Sequence, residues 1–100
     1  MSVEQLRNDL FHSSNDVLRD DAAERLGDTY WQNDEAQKVL FDGICSDALD
    51  DSLKLTCAES LAEIWLRRGQ INDHLYERLK GSRFRESIDA FLKAPKPPNW

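Results

Sequence analysis

Glycine and proline are scarce, at four and three residues in a chain of 100. So few turn-forming residues cannot punctuate a many-stranded β fold, and their scarcity favours helices. Cysteine occurs twice, at Cys45 and Cys57, with no C-x-x-C pair and no His/Cys set at metal-ligand spacing. Neither a disulfide scaffold nor a structural zinc site is expected. No apolar run approaches the roughly 20 residues that cross a bilayer, so no membrane partner is expected. The opening MSVEQLRNDL carries two acids and no apolar stretch, unlike a secretory leader. Positive charge is short as well: the formal net charge is −6 and the pI about 4.8. Binding to nucleic acid through phosphates needs a basic footprint, so nucleic acid is not the expected partner.

Residue types that carry catalysis are present but unassembled. His12 falls in a turn and His74 on a helix, neither beside a cysteine or acid in a catalytic pattern. Ser13 and Ser14 lack a G-x-S-x-G setting. Asp47, Asp50 and Asp51 lack the spacing of a calcium loop and read better as caps. No catalytic, cofactor-binding or metal-binding residue is expected, and the chain does not read as an enzyme. Both cysteines fall on apolar helix positions, where a thiol acts as a small hydrophobe. Buried thiols suit a reducing cytoplasm, which is the expected location.

What the sequence does contain is helical periodicity, 40% hydrophobic residues and 32% charged ones. Ser2 and Gln5 form a capping box ahead of helix one, Val3 to Phe11, with Val3, Leu6, Leu10 and Phe11 inward. Asn15 or Asp16 caps helix two, Asp16 to Trp31, whose apolar positions are Val17, Leu18, Ala22, Ala23, Leu26 and Tyr30. Asn33 caps helix three, Asp34 to Ser46, with Ala36, Val39, Leu40, Ile44 and Cys45 inward. Asp50 or Asp51 caps helix four, Ser52 to Arg68, with the stripe Leu53, Cys57, Ala58, Leu61, Ile64 and Trp65 and a C-cap at Gly69. Helix five spans Ile71 to Lys80 and helix six Arg83 to Lys93. Residues 1–94 form one domain, and 95–100, with three prolines in the segment APKPPNW, form an extended tail.

The even-numbered helices repeat. A shift of 35 places Leu18 on Leu53, Ala22 on Cys57, Ala23 on Ala58, Glu24 on Glu59, Leu26 on Leu61 and Tyr30 on Trp65. A further shift of 31 places Leu53 on Phe84, Lys54 on Arg85, Cys57 on Ile88 and Leu61 on Leu92. Helix pairs recurring at such periods are the pattern of an α-solenoid. The segment Asn15 to Gly27 resembles the second helix of a HEAT repeat: an acid, an apolar residue, a base, then small residues where helices approach. Asp51 to Ala62 resembles it more loosely. The third copy departs, with Ile88 in place of a small residue, and helices one, three and five follow the pattern freely. The resemblance implies an all-α, right-handed stack of about three antiparallel helix pairs that scaffolds protein or nucleic acid, without catalysis. An irregular helical bundle accommodates the same helices.

In helical stacks of this kind the second helices line the concave face. Asp16, Asp20, Glu24 and Asp28 recur every four residues and share one ridge of helix two. The equivalent ridge of helix four reads Asp51, Leu55, Glu59 and Glu63; on that of helix six, Ser82, Glu86, Ala90 and Ala94, the acidity fades to one residue. Attraction to helix N-termini accounts for Asp16, Asp20 and Asp51, but not for Glu24, Asp28, Glu59 and Glu63 in later turns. These residues, with Trp31 as a possible aromatic anchor, are the expected partner-binding set. Residues 1–66 hold five basic and fifteen acidic residues, net −10; residues 67–100 hold eight and four, net +4. The basic end, Arg67, Arg68, Arg78, Lys80, Arg83 and Arg85, reads chiefly as complement to helix dipoles and caps. The expected function is a protein-binding module, foremost a small acidic inhibitor such as an immunity protein that neutralises a basic toxin or nuclease. The alternative is a scaffold or adaptor subunit of a larger complex. The sequence leaves the partner's identity and the oligomeric state open.

Overall fold

The computed structural model describes residues 2–94, and among them every regular element is helical. In chain order these are α1 (Val3–His12), α2 (Asp16–Asp28), α3 (Asp34–Cys45), α4 (Asp51–Arg68), α5 (Asp73–Arg78) and α6 (Arg83–Lys93). The expected tail, 95–100, lies outside the described residues.

Side-chain caps set most of the boundaries. Ser2 and Gln5 close the capping box, with Gln5 Oε1 accepting from Ser2 N at 2.8 Å and Ser2 Oγ from Gln5 N at 3.2 Å. Asn15 Oδ1 accepts from Val17 N at 2.9 Å, and Asp50 Oδ1 from Leu53 N at 2.8 Å. Each cap satisfies donors that have no partner inside the helix. Gly69 ends α4 at φ 68°, a left-handed position that favours glycine. Three helices are shorter than the sequence reading gave, α3 by the single residue Ser46, which caps it. Asn72 caps α5 through Leu75 N, so Ile71 precedes that helix and packs on the core from outside it. α2 stops at Asp28; Tyr30 and Trp31 belong to the following turn, where Asn33 N donates to Tyr30 O at 2.9 Å. Both aromatics pack on the core from that turn, which is why the apolar spacing had extended the helix.

α4 is central, packing against α2, α3 and α6, while α1 packs against α2. Its stripe Leu53, Cys57, Ala58, Leu61, Ile64 and Trp65 is buried as expected. Burial pushes the Cys57 thiol up to about 12, so it stays protonated and acts as core. Cys45 differs: it ends α3 and is exposed, one residue past the buried Ile44. Val17 and Leu18 also differ, at 75% and 49% exposed. Val17 lies roughly 120° around the helix from Ala23, on the far side from the core. Leu18 shares the face of Ala22 but sits in the first turn, where cover is incomplete. The core face of α2 is therefore narrow and built from Ala22, Ala23, Leu26 and Gly27.

Candidate partner-binding face

Small residues bring α2 and α4 close. Gly27 lies against Ser60, and a Cβ on Gly27 would sit 2.9 Å from the Ser60 carbonyl oxygen. With so little between them, the acidic ridges of the two helices face one groove. Asp28, Glu59 and Glu63 line its lower part with Glu24, Thr56 and Ser60, and Phe91 of α6 adds an aromatic wall. Asp16, Asp20, Asp21 and Glu24 line a second recess with Val17, Asp50 and Leu53. Asp20 spans the two helices, its Oδ1 accepting from Thr56 Oγ1 at 2.8 Å.

The acids differ in how far they are neutralised. Asp21 pairs with Arg25 at 2.7 Å, and Asp51 pairs with Arg83 at the start of α6. Glu24, Asp28 and Glu59 form no ion pair among the described residues. Partial burial raises Glu24 from its ordinary value, and Asp20, Asp28, Asp21 and Glu59 reinforce this. Glu63 is pushed up to about 7, first by burial and then by its hydrogen bond to Asp28 and that residue's charge. The Arg67 guanidinium, 3.0 Å from Glu63, opposes the shift without overcoming it. The neighbouring Asp28 carboxylate thus disfavours ionisation of Glu63.

This pair makes a stability prediction. Glu63 binds its proton more tightly in the folded chain, so its contribution is fully present below the ordinary value of 4.5 and is lost as pH rises through about 7. Glu63→Gln imitates the protonated acid and can still bridge Asp28 and Arg67. After discounting for solvent screening, it should stabilise the fold by about 1 kcal/mol at a pH of about 8 and by almost nothing at about 4. Thermal melts across that range should show a rise of roughly 5 °C at the alkaline end only. A loss of stability there would mean that the Arg67 ion pair dominates.

The face expected from the sequence is thus only partly contiguous. Asp16, Asp20, Glu24, Asp28, Glu59 and Glu63 line the two recesses. Asp51 is drawn off by Arg83. Trp31 lines neither recess: it is half-buried, and its carbonyl accepts from Arg68 Nε at 2.7 Å. Sequence reasoning missed Thr56, Ser60 and Phe91, which enter the groove from positions with no charge to mark them. It placed Leu55 on the ridge but counted Val17 as core. Val17 lies among the acids of α2, and Leu55, 38% exposed, interrupts those of α4. The basic end is mostly engaged internally: Arg68 pairs with Asp34 at 2.8 Å, Arg78 lies over Phe41, and Arg85 lies 3.8 Å from the centre of the Tyr76 ring. Among the described residues, no three His, Cys, Asp or Glu side chains are placed to hold a metal ion, and no helix is long and apolar enough to cross a membrane. The chain matches no protein-family model, no curated protein and no solved structure.

Proposed function

We propose that the chain is a non-catalytic protein-binding module whose α2–α4 face receives a basic protein. The observation that carries this reading is the row Glu24, Asp28 and Glu59, none of them in an ion pair among the described residues, with Val17 exposed beside the ridge of α2 and Leu55 exposed on that of α4. Like charges at four-residue spacing destabilise a helix by roughly 0.2–0.5 kcal/mol per pair, and facing ridges add to that. A binding face offsets this, because a cationic partner removes the repulsion and apolar residues on the ridge gain cover. The finer reading is an inhibitor of the immunity-protein kind, neutralising a basic toxin or nuclease in the cytoplasm. Acidity over 1–66, small size and a preformed face support it.

For the architecture, we propose three stacked antiparallel pairs, α1–α2, α3–α4 and α5–α6, in a HEAT-like arrangement. Support comes from the succession α2, α4, α6 as packed neighbours, and from small residues, Ala22, Ala23, Gly27, Ala58 and Ser60, buried on the first two of them.

The test compares the parent chain with Glu24→Lys/Glu59→Lys as bait in source-cell extract, with captured proteins identified by mass spectrometry. A basic protein held by the parent and lost by the reversal is expected. With that protein purified, the reversal should slow association by at least about 10-fold at low salt, and the difference should shrink near 0.5 M salt. Equal on-rates for the two chains would refute the acidic face. A captured partner with little salt dependence would favour the scaffold or adaptor reading.

A further inference from the structure

Of the acids in the α2–α4 groove, Glu63 has the least solvent around it. Its side chain is 16% exposed, whereas Glu24, Asp28 and Glu59 are exposed residues. The groove measures about 230 Å³, room for the charged end of a basic side chain. Three helices line it. α2 brings Glu24 and Asp28, α4 brings Glu59 and Glu63 itself, and α6 brings the uncharged ring of Phe91. No histidine lines it.

The charges that reach Glu63 are few. On its own helix, Arg67 stands 3.0 Å away and Glu59 one turn back. From α2, Asp28 forms a hydrogen bond with it, and Glu24 lines the same groove. α6 offers no charge there: Arg83 pairs with Asp51, and Asp89 accepts from Tyr76. No residue of α3 lines the groove, and Asp34 and Asp42 of that helix pair with Arg68 and Arg7. An ionised carboxylate only accepts, so the bond between Glu63 and Asp28 requires a proton on one of them. Burial and Asp28 hold that proton on Glu63 up to about 7. Glu63 is therefore mostly neutral at a pH of about 6 and mostly charged at about 8.

A second cation changes this balance. Seated in the groove, it stands beside Asp28 and Glu63 together and adds the positive charge that Arg67 alone does not supply. The proton then leaves to solvent, and the Glu63 carboxylate and the cation remain as an ion pair, which is stronger than a contact with a neutral acid. We propose that the α2–α4 face is proton-gated: a basic partner binds it tightly when Glu63 is ionised and weakly when Glu63 holds a proton. The gate rests on the reading of that face as the receptor for a basic protein.

The probe is a short arginine peptide capped at both ends, whose charge stays fixed across the range. It is titrated by calorimetry into the full-length chain at constant ionic strength. Affinity should rise by about 10-fold between a pH of about 6 and about 8, as Glu63 passes from mostly protonated to mostly ionised. Comparison of two buffers with different ionisation heats should show roughly one proton released per peptide at a pH of about 6 and almost none at about 8. Glu63→Gln fixes the neutral form, so its affinity should not change with pH and should be about 10-fold weaker than that of the parent at a pH of about 8. Glu24→Gln removes a charge from the same groove but leaves Glu63 and Asp28; it should bind more weakly and keep the slope. In carbon NMR, bound peptide should move the Glu63 carboxyl midpoint down from about 7. Equal affinity at the two pH values, or a slope that survives Glu63→Gln, overturns the gate and leaves the acidic face standing. A peptide that binds at neither pH overturns the face as a receptor for arginine side chains, and the gate with it.

Discussion

Trp65→Ala should remove most of the stability of this chain. Trp65 is 1% exposed and is the largest fully buried side chain. Its ring meets Tyr76 edge-on, with centroids 6.1 Å apart at 76°, and its indole nitrogen holds Gln37 of α3. One side chain thus ties α4 to both α3 and α5. Truncating a buried tryptophan to alanine costs about 3–5 kcal/mol from cavity formation alone. The Gln37 oxygen would lose its donor in addition. A domain of this size has roughly 5–15 kcal/mol in total, so the variant should show a much lower urea midpoint or no cooperative transition. Trp65→Phe keeps the ring and should cost about 2 kcal/mol, much of it from the unpaired Gln37 oxygen. Trp65→Phe/Gln37→Leu should then recover part of that loss, since replacing both partners leaves no orphan. A Trp65→Ala midpoint close to that of the parent would show that this side chain is not the tie between the layers.

Gly27 should be intolerant of any side chain, against the usual helix preference. In an open helix Gly→Ala stabilises by about 1 kcal/mol. Here the added Cβ would lie 2.9 Å from the Ser60 carbonyl oxygen and 3.0 Å from the Ser60 Cβ. Backbone cannot step aside as the tip of a long side chain can, so α2 and α4 must separate. The net result for Gly27→Ala should be a loss of about 1–2 kcal/mol, and for Gly27→Leu about 3 kcal/mol. The same separation should loosen the carboxyl pair one turn away. Glu63 in Gly27→Ala should therefore titrate below its value of about 7 in the parent, read by carbon NMR of its carboxyl. If Gly27→Ala is instead stabilised and Glu63 is unmoved, the two helices are not in tight contact at this point.

Both results turn on features that differ in how visible they are in a linear chain. Helix starts were legible because a cap is local: Ser2 with Gln5, Asn33 and Asp50 act within three residues. The core stripe of α4 was legible because a long, central helix keeps one face covered along its length. Ends were harder. Tyr30 and Ile71 pack on the core from outside a helix, and spacing alone cannot distinguish that from packing within one. Val17 and Cys45 failed because an apolar residue beside a stripe is not on it: each residue turns the face by roughly 100°.

The candidate site divides along the same line. By itself the sequence determined that this chain is helical, where most of its helices begin, and that Asp16, Asp20, Glu24 and Asp28 share one ridge. These follow from hydrogen bonds and periodicity within a few residues. The tertiary structure alone decided that the ridges of α2 and α4 face each other across Gly27 and Ser60, so that burial and Asp28 raise Glu63. It alone decided that Arg83 draws off Asp51, that Trp31 stands apart, and that Gln37 of α3 accepts from Trp65 of α4. Each of these depends on the distance between residues far apart in the chain. Periodicity names the face a residue occupies, but the packing of small side chains sets what that face meets.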